Sequence, residues 1–192
     1  MLDSAKDVLR KYVSDMGAVT RHVQSAVERQ VDSDDFKQFP EAKSLLTEIK
    51  VLLENQRTQL DSLAAEIGAE QFSSAKEAVT TATGFITGLY DHLRSHPVSK
   101  DLRDDYVALT LCCVAYEMLH TTGLAVQHPA TADLALRALK QLTPYVSKLG
   151  QTIPQVVVRE VGNRGVDVDP TAAKTAADNN RAAWSHQAGS GV

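Results

Sequence analysis

The sequence predicts an all-α fold: four long helices around one core, a helical crossover between the second and third, and a short C-terminal helix. Two observations carry this. Apolar residues return at alternating steps of three and four through four long segments, the spacing that lays one stripe along a helix. The second and third of those segments are separated by about thirty residues with a helical pattern of their own, whereas antiparallel neighbours need only short links.

The first stripe is Leu9, Tyr12, Met16, Val19, Val23 and Ala26, with Ser4 placed to cap the helix. Val31-Asp32-Ser33-Asp34-Asp35 interrupts it. Phe39-Pro40-Glu41 then opens a second helix with proline at its first position and an acid in its first turn. Its stripe, Leu46, Ile49, Leu53, Gln56, Leu60, Leu63 and Ile67, runs to Gly68 and has Gln56 as its single polar member. Ser74-Ala75-Lys76-Glu77 reads as a capping box for the crossover helix, which carries Phe72, Ala75, Val79, Ala82, Ile86, Leu89 and Leu93 on one face. Gly84 and Gly88 mark that helix as peripheral, since each costs about 1 kcal/mol against alanine in a helix interior.

Beyond His96-Pro97, Ser99 is placed to cap the third long helix, the most apolar of the chain. Its stripe is Leu102, Tyr106, Leu109, Cys113, Tyr116, His120 and Gly123, and His128-Pro129 should end it. Thr131 is placed to cap the fourth, with Ala135, Leu139, Leu142, Val146, Leu149, Ile153 and Val156 on one face. Pro144 and Pro154 inside it predict bends, or a break near Gly150. From Gln155 two readings stand. Val156-Val157-Val158 and Val166-Asp167-Val168 around Gly162-Asn163-Arg164-Gly165 fit a hairpin, while the three-four spacing through Val157 favours a helix to about Val161. Asp169-Pro170 then opens a short alanine-rich helix ending near Trp184, its one large anchor. The expected organisation is a helical bundle over 1–161, an extension with a short helix over 162–184 and a disordered tail over 185–192.

With 192 residues, 43% of them hydrophobic, one compact domain is expected. A formal charge of −4 and scattered Lys and Arg offer no basic surface to a phosphate backbone, so nucleic acid is not an expected partner. Met1-Leu2-Asp3-Ser4-Ala5-Lys6-Asp7 is charged from its third residue and lacks the apolar run of a signal peptide. The most apolar stretch, 107–115, falls far short of the roughly 20 residues that span a bilayer. A cytoplasmic protein without membrane association is the expectation. Cys112 and Cys113 are adjacent on a helix, where side chains diverge by about 100°, so no disulfide between them is expected.

In this layout, the sequence from Ser74-Ala75-Lys76-Glu77 through Cys113-Val114-Ala115-Tyr116-Glu117-Met118-Leu119 resembles the small stress-associated branch of the ferritin-like superfamily. The resemblance extends over about residues 5–160. In that branch a crossover helix leads into a third helix bearing a tyrosine-glutamate pair. The resemblance implies a ferritin-like four-helix bundle centred on two metal ions, iron or manganese. One glutamate from each of two helices and a Glu-x-x-His from each of the other two would hold them. Carried onto this chain, Glu117 and His120 form one Glu-x-x-His on the third helix, where residues three apart share a face. The second helix reads Glu54-x-x-Arg57, which sets a guanidinium where an imidazole is required. The first helix offers His22, and the fourth has neither histidine nor acid between Asp133 and Glu160.

The metal candidates are therefore Glu117, His120, His22 and Glu54, an incomplete set beside four intact apolar stripes. Each has an ordinary reading as a helix-face polar residue. Gln56 reads as a buried hydrogen bond that fixes helix register, and with Tyr116 and the crossover helix it is the candidate for a small-molecule pocket. Tyr12, Tyr106, Tyr116 and Tyr145 read as core packing with a hydroxyl at the edge, the alternatives being a cavity wall or a radical path. His92, His96 and His128 sit where imidazolium complements a helix C-terminus. No catalytic residue is assigned, since nucleophile elbow, phosphate loop and zinc-hydrolase motifs are missing. The expected function is that of a non-catalytic, cofactor-free bundle acting through protein contacts as a homodimer. A metal-dependent oxidoreductase or metal store, and a small-molecule binder, are the competing classes.

Overall fold

The computed structural model describes residues 3–69 and 97–185. Among these residues there are five α-helices and no strand: α1 (Asp3–Asp32), α2 (Pro40–Ile67), α3 (Val98–Ala125), α4 (Pro129–Gly162) and α5 (Ala172–Ser185). The expected crossover helix over 72–93, with its capping box and both glycines, lies outside the described residues, as do His92, His96 and the tail from 186.

α1 packs against α2 and α3, and α4 packs against the same two helices from the other side. Cross-links between the helices fix their directions. Arg10 at the start of α1 donates to the Ile67 carbonyl at the end of α2 (3.0 Å), and Arg57 of α2 donates to Gln24 of α1 (3.2 Å), so these two run antiparallel. Gln56 and Glu48 of α2 meet Ala138 and Lys148 of α4, again in opposite order. His120 with Ala132, and Ser99 with Glu160, set α3 against α4 in the same way. α2 and α3 consequently point the same way, so the end of α2 and the start of α3 lie at opposite ends of the helices.

One core fills the space between α1, α2, α3 and α4, with Leu9, Leu53, Leu109 and Leu142 wholly buried. The α2 stripe is buried at every expected position, Gln56 included. On α3 and α4 every second expected residue moves to the edge: Tyr106, Cys113 and His120 are partly exposed, as are Leu139, Val146 and Ile153. Asp105, Cys112 and Leu119 are buried on α3, at positions the stripe did not include. α3 packs most extensively against α4 as well as against α1, so it buries a face wider than one stripe.

The helix ends differ more. Gly68 ends α2 in the left-handed conformation (φ 68°), as a C-terminal glycine should. Ser4, however, lies inside α1. α3 opens at Val98, and Ser99 gives both its backbone N–H (3.0 Å) and its hydroxyl (2.6 Å) to the Glu160 carboxylate; the cap is supplied across the fold by α4. α4 is capped by His128, whose Nδ1 accepts from the Thr131 backbone N–H (3.3 Å), with Pro129 in the first turn. Thr131 is a buried helix residue, and His128 serves an N-terminus as an acceptor instead of a C-terminus as a cation. Neither Pro144 nor Pro154 breaks α4, which is continuous through Gly150 and on to Gly162, so the hairpin reading of 155–169 is set aside. The carbonyl orphaned by Pro144 belongs to Lys140, an exposed residue, where water can satisfy it. α3 is long and apolar enough to cross a bilayer, longer than the 107–115 stretch suggested. In the fold it is a core helix that buries Asp104 and Asp105 along with its apolar face.

Candidate functional site

Two places have the makings of a site, a polar level inside the core and a cleft under α5. The first is built by α1, α2, α3 and α4. Gln56 (1% exposed) donates from Nε2 to the Ala138 carbonyl at 3.2 Å, while its Oε1 has no partner. Tyr116 (0% exposed) places its hydroxyl beside Thr20 without closing a hydrogen bond of full geometry, and Thr20 gives its own proton to the Met16 carbonyl at 2.9 Å. Burial pushes the Tyr116 hydroxyl well above the usual phenol range, so it stays protonated. The register of the helix pairs sets Thr20, Gln56, Tyr116 and Ala138 at about one level. The sequence-predicted polar core position is thus real, and its partner is a backbone carbonyl.

The four metal candidates are not brought into one group. Glu117 is exposed on the outer face of α3, and Glu54 pairs with Lys50 on its own helix (3.9 Å). His120 Nδ1 meets the Ala132 carbonyl at 2.8 Å; a carbonyl only accepts, so Nδ1 donates. His22 is half-buried on α1, and burial followed by the nearby Arg29 holds its pKa below the ordinary value. Since Thr20 faces Tyr116 across antiparallel helices, His22 stands near the level of residue 114. His120 is therefore six residues away from it, about 9 Å along the axis at 1.5 Å per residue. Among the described residues, no three or more His, Cys, Asp or Glu side chains are grouped to hold a metal ion. Arg57, at the position where the resemblance requires a histidine, donates to Gln24 Oε1 at 3.2 Å.

The second place is a cleft of about 430 Å³ between α3, α4 and α5. Tyr106, Thr110 and Cys113 come from α3, Val146 and Gly150 from α4, and Asn180, Arg181 and Trp184 from α5. Past Gly150 the hollow continues toward Ile153 and Pro154. Tyr106 and Cys113 were expected in the core; the cavity-wall alternative for the tyrosines is what Tyr106 satisfies. The Cys113 thiol, pushed up to about 11 by burial, is a protonated apolar wall at neutral pH. The sequence held one cue to this cleft, a lone tryptophan closing a helix otherwise made of small and polar residues, and reading that tryptophan as a buried anchor hid it. Trp184 is 73% exposed.

A third cluster sits at the α3 N-terminus. Asp101 is raised to about 6 by its own burial first and then by Asp104, Asp35 and Glu160, against the smaller pull of Arg103. Both cysteines are free. What these features define is an all-helical protein with a packed, sparsely polar interior and an open side cleft. Set beside known proteins, the chain matches no family model, no curated protein and no solved structure.

Proposed function

We propose that this chain is a non-catalytic bundle of ferritin-like layout that works through protein contacts as a homodimer. The layout is supported by the directions of the helices. α1 and α4 run against α2 and α3, the order that one long crossover produces. The observation that carries the non-catalytic reading is the hydrogen bond from Arg57 to Gln24. It puts a fixed cation, which no pH in the physiological range removes, where the second metal half-site would need an imidazole. Association is supported by the outer face of α3. There Val114 (47% exposed) and Met118 (49% exposed), flanked by Leu111, form an apolar stripe that a two-fold axis can set against itself.

One observation favours a metal-binding reading instead. The Nδ1–H of His120 is anchored on a backbone carbonyl, as ligating histidines commonly are, with Nε2 left to bind. Metal analysis of protein purified without chelators, with sedimentation velocity on the same sample, separates the two. The expected result is substoichiometric iron and manganese and a dimer that Met118→Lys converts to monomer. Near-stoichiometric metal that disappears in Glu117→Ala overturns the non-catalytic reading, and a wild-type monomer at all concentrations overturns the homodimer.

A further inference from the structure

The cleft under α5 has the construction of a ligand site. Its volume of about 430 Å³ lies in the range of small-molecule pockets, which pair apolar and aromatic walls with a few placed polar groups. Tyr106 of α3 and Trp184 of α5 supply two aromatic rings to its lining. Trp184 is oriented by its own helix, since its indole N–H donates to Asn180 Oδ1 at 3.1 Å. Its ring face is meanwhile left in solvent, an unusual disposition for the largest apolar side chain of the region.

Gly150 forms the floor. A Cβ there would lie 3.5 Å from the Tyr106 ring and 3.7 Å from the Asn180 amide, so a methyl group just fits and anything larger fills the space. Thr110, Thr143, Ser147 and Gln151 bring neutral hydrogen-bonding groups. The rim has one charge imbalance. Asp178 is shared between Lys174 (2.5 Å) and Arg181 (3.3 Å), which leaves two cations against one acid, and Arg181 is the charged residue that lines the cleft.

From these observations we infer that the α3–α4–α5 cleft binds a small planar aromatic molecule bearing one negative charge, its ring between Tyr106 and Trp184 and its anionic group toward Arg181. This site is independent of the homodimer and of any metal at Glu117 and His120. Ring stacking and displacement of water from two aromatic faces supply most of the affinity. Arg181, which is 63% exposed, contributes chiefly selectivity for the anion.

The chain's single tryptophan is the reporter. The full-length protein is titrated with 8-anilino-1-naphthalenesulfonate, an aromatic monoanion, while Trp184 quenching and sensitised probe emission are followed; the neutral N-phenyl-1-naphthylamine serves as the comparison. The expected result is saturable binding at one site per chain. Gly150→Leu weakens it by about tenfold or more, with an unchanged helical circular dichroism spectrum. Trp184→Ala, at a solvent-exposed position that leaves the fold intact, weakens it to a similar degree when probe emission is excited directly. Arg181→Gln costs about threefold for the anion and nothing for the neutral probe. Non-saturable binding, or affinity indifferent to both Gly150→Leu and Trp184→Ala, overturns the site. Equal affinity for the two probes in the wild type overturns the anionic character of its ligand.

Discussion

Leu9, Leu53, Leu109 and Leu142 are wholly buried in α1, α2, α3 and α4, whereas α5 buries no residue and leaves its tryptophan in solvent. The two regions are held by different means. The long helices exclude water from one another over their whole length. α5 packs on α4 with Ala172, Ala173 and Ala177 only partly buried, and its N-terminus is ordered by Asp169, whose carboxylate accepts from the Thr171 N–H (2.8 Å) and hydroxyl (2.7 Å). A close-packed interior leaves no room to recognise a ligand, while a loosely seated helix leaves a cleft. The contrast predicts that substitutions inside the four helices change stability, and that substitutions under α5 change binding.

The tightest point of the packed region is where α3 approaches the start of α4. A Cβ on Gly123 would sit 2.6 Å from the Ala132 backbone nitrogen and 3.0 Å from its Cα, and backbone atoms cannot yield as a side chain does. The Gly123 carbonyl also accepts from the His128 N–H at 2.8 Å, tying the same spot to the turn. Gly123→Ala should therefore cost about 2–4 kcal/mol in urea unfolding, despite alanine's better helix propensity. A neutral or stabilising result would mean that α3 and α4 separate more easily than close packing allows.

A smaller effect belongs to the polar end of the same pair. Folding raises the Asp101 pKa from 3.8 to about 6, so the native state holds a proton that the unfolded chain has released. The contribution of this group to stability is therefore most favourable below about pH 4, falls as pH rises from about 4 to about 6, and stays lower above that. A rise from 3.8 to about 6 amounts to about 3 kcal/mol at most, and partial solvent screening reduces this to about 1–2 kcal/mol. Asp101→Asn removes the charge that has to be buried. It should stabilise the protein by that amount at pH 7.5 and have no effect at pH 4, as read from thermal melts at the two pH values. A gain equal at both would assign the effect to something other than ionisation.

The division between the two regions also marks what could be read from the chain. Three-four spacing located the long helices but not their ends, because burial of an apolar face dominates their energetics. Every α2 stripe position is buried, with Ala42, Leu45 and Ala64 added beside it; on α3 the same rule was off by part of a turn, because Asp105 and Cys112 face the interior too. Caps were misassigned wherever a distant residue supplied them. No local pattern could announce that Glu160 caps α3 from 61 positions away. The cleft was illegible for a similar reason, since its walls come from three helices and its floor is defined by a missing side chain. Gln56 was legible because a single polar residue in an apolar series stands out, while its partner, the Ala138 carbonyl, has no sequence signature at all.

The smallest stability effect is predicted for removing α5 altogether, with the chain ended at Val168. Its own apolar contribution is chiefly three partly buried alanine methyls, worth at most about 0.8 kcal/mol each. Against this stands the cost of ordering its backbone, about 1–2 kcal/mol per residue, most of which its own helical hydrogen bonds must offset. The surface pairs among Lys174, Asp178 and Arg181 add little, being screened by water. These terms nearly cancel, so the truncated chain should melt within about 2 °C of the intact one, with helical signal lost in proportion to the residues removed. The cleft loses Asn180, Arg181 and Trp184 together, and with them one of its two aromatic walls. Stability retained while aromatic-anion binding disappears would place recognition in α5 and folding in the four long helices. A fall in melting temperature of more than about 5 °C would instead make α5 a structural part of the core and remove the distinction on which the cleft depends.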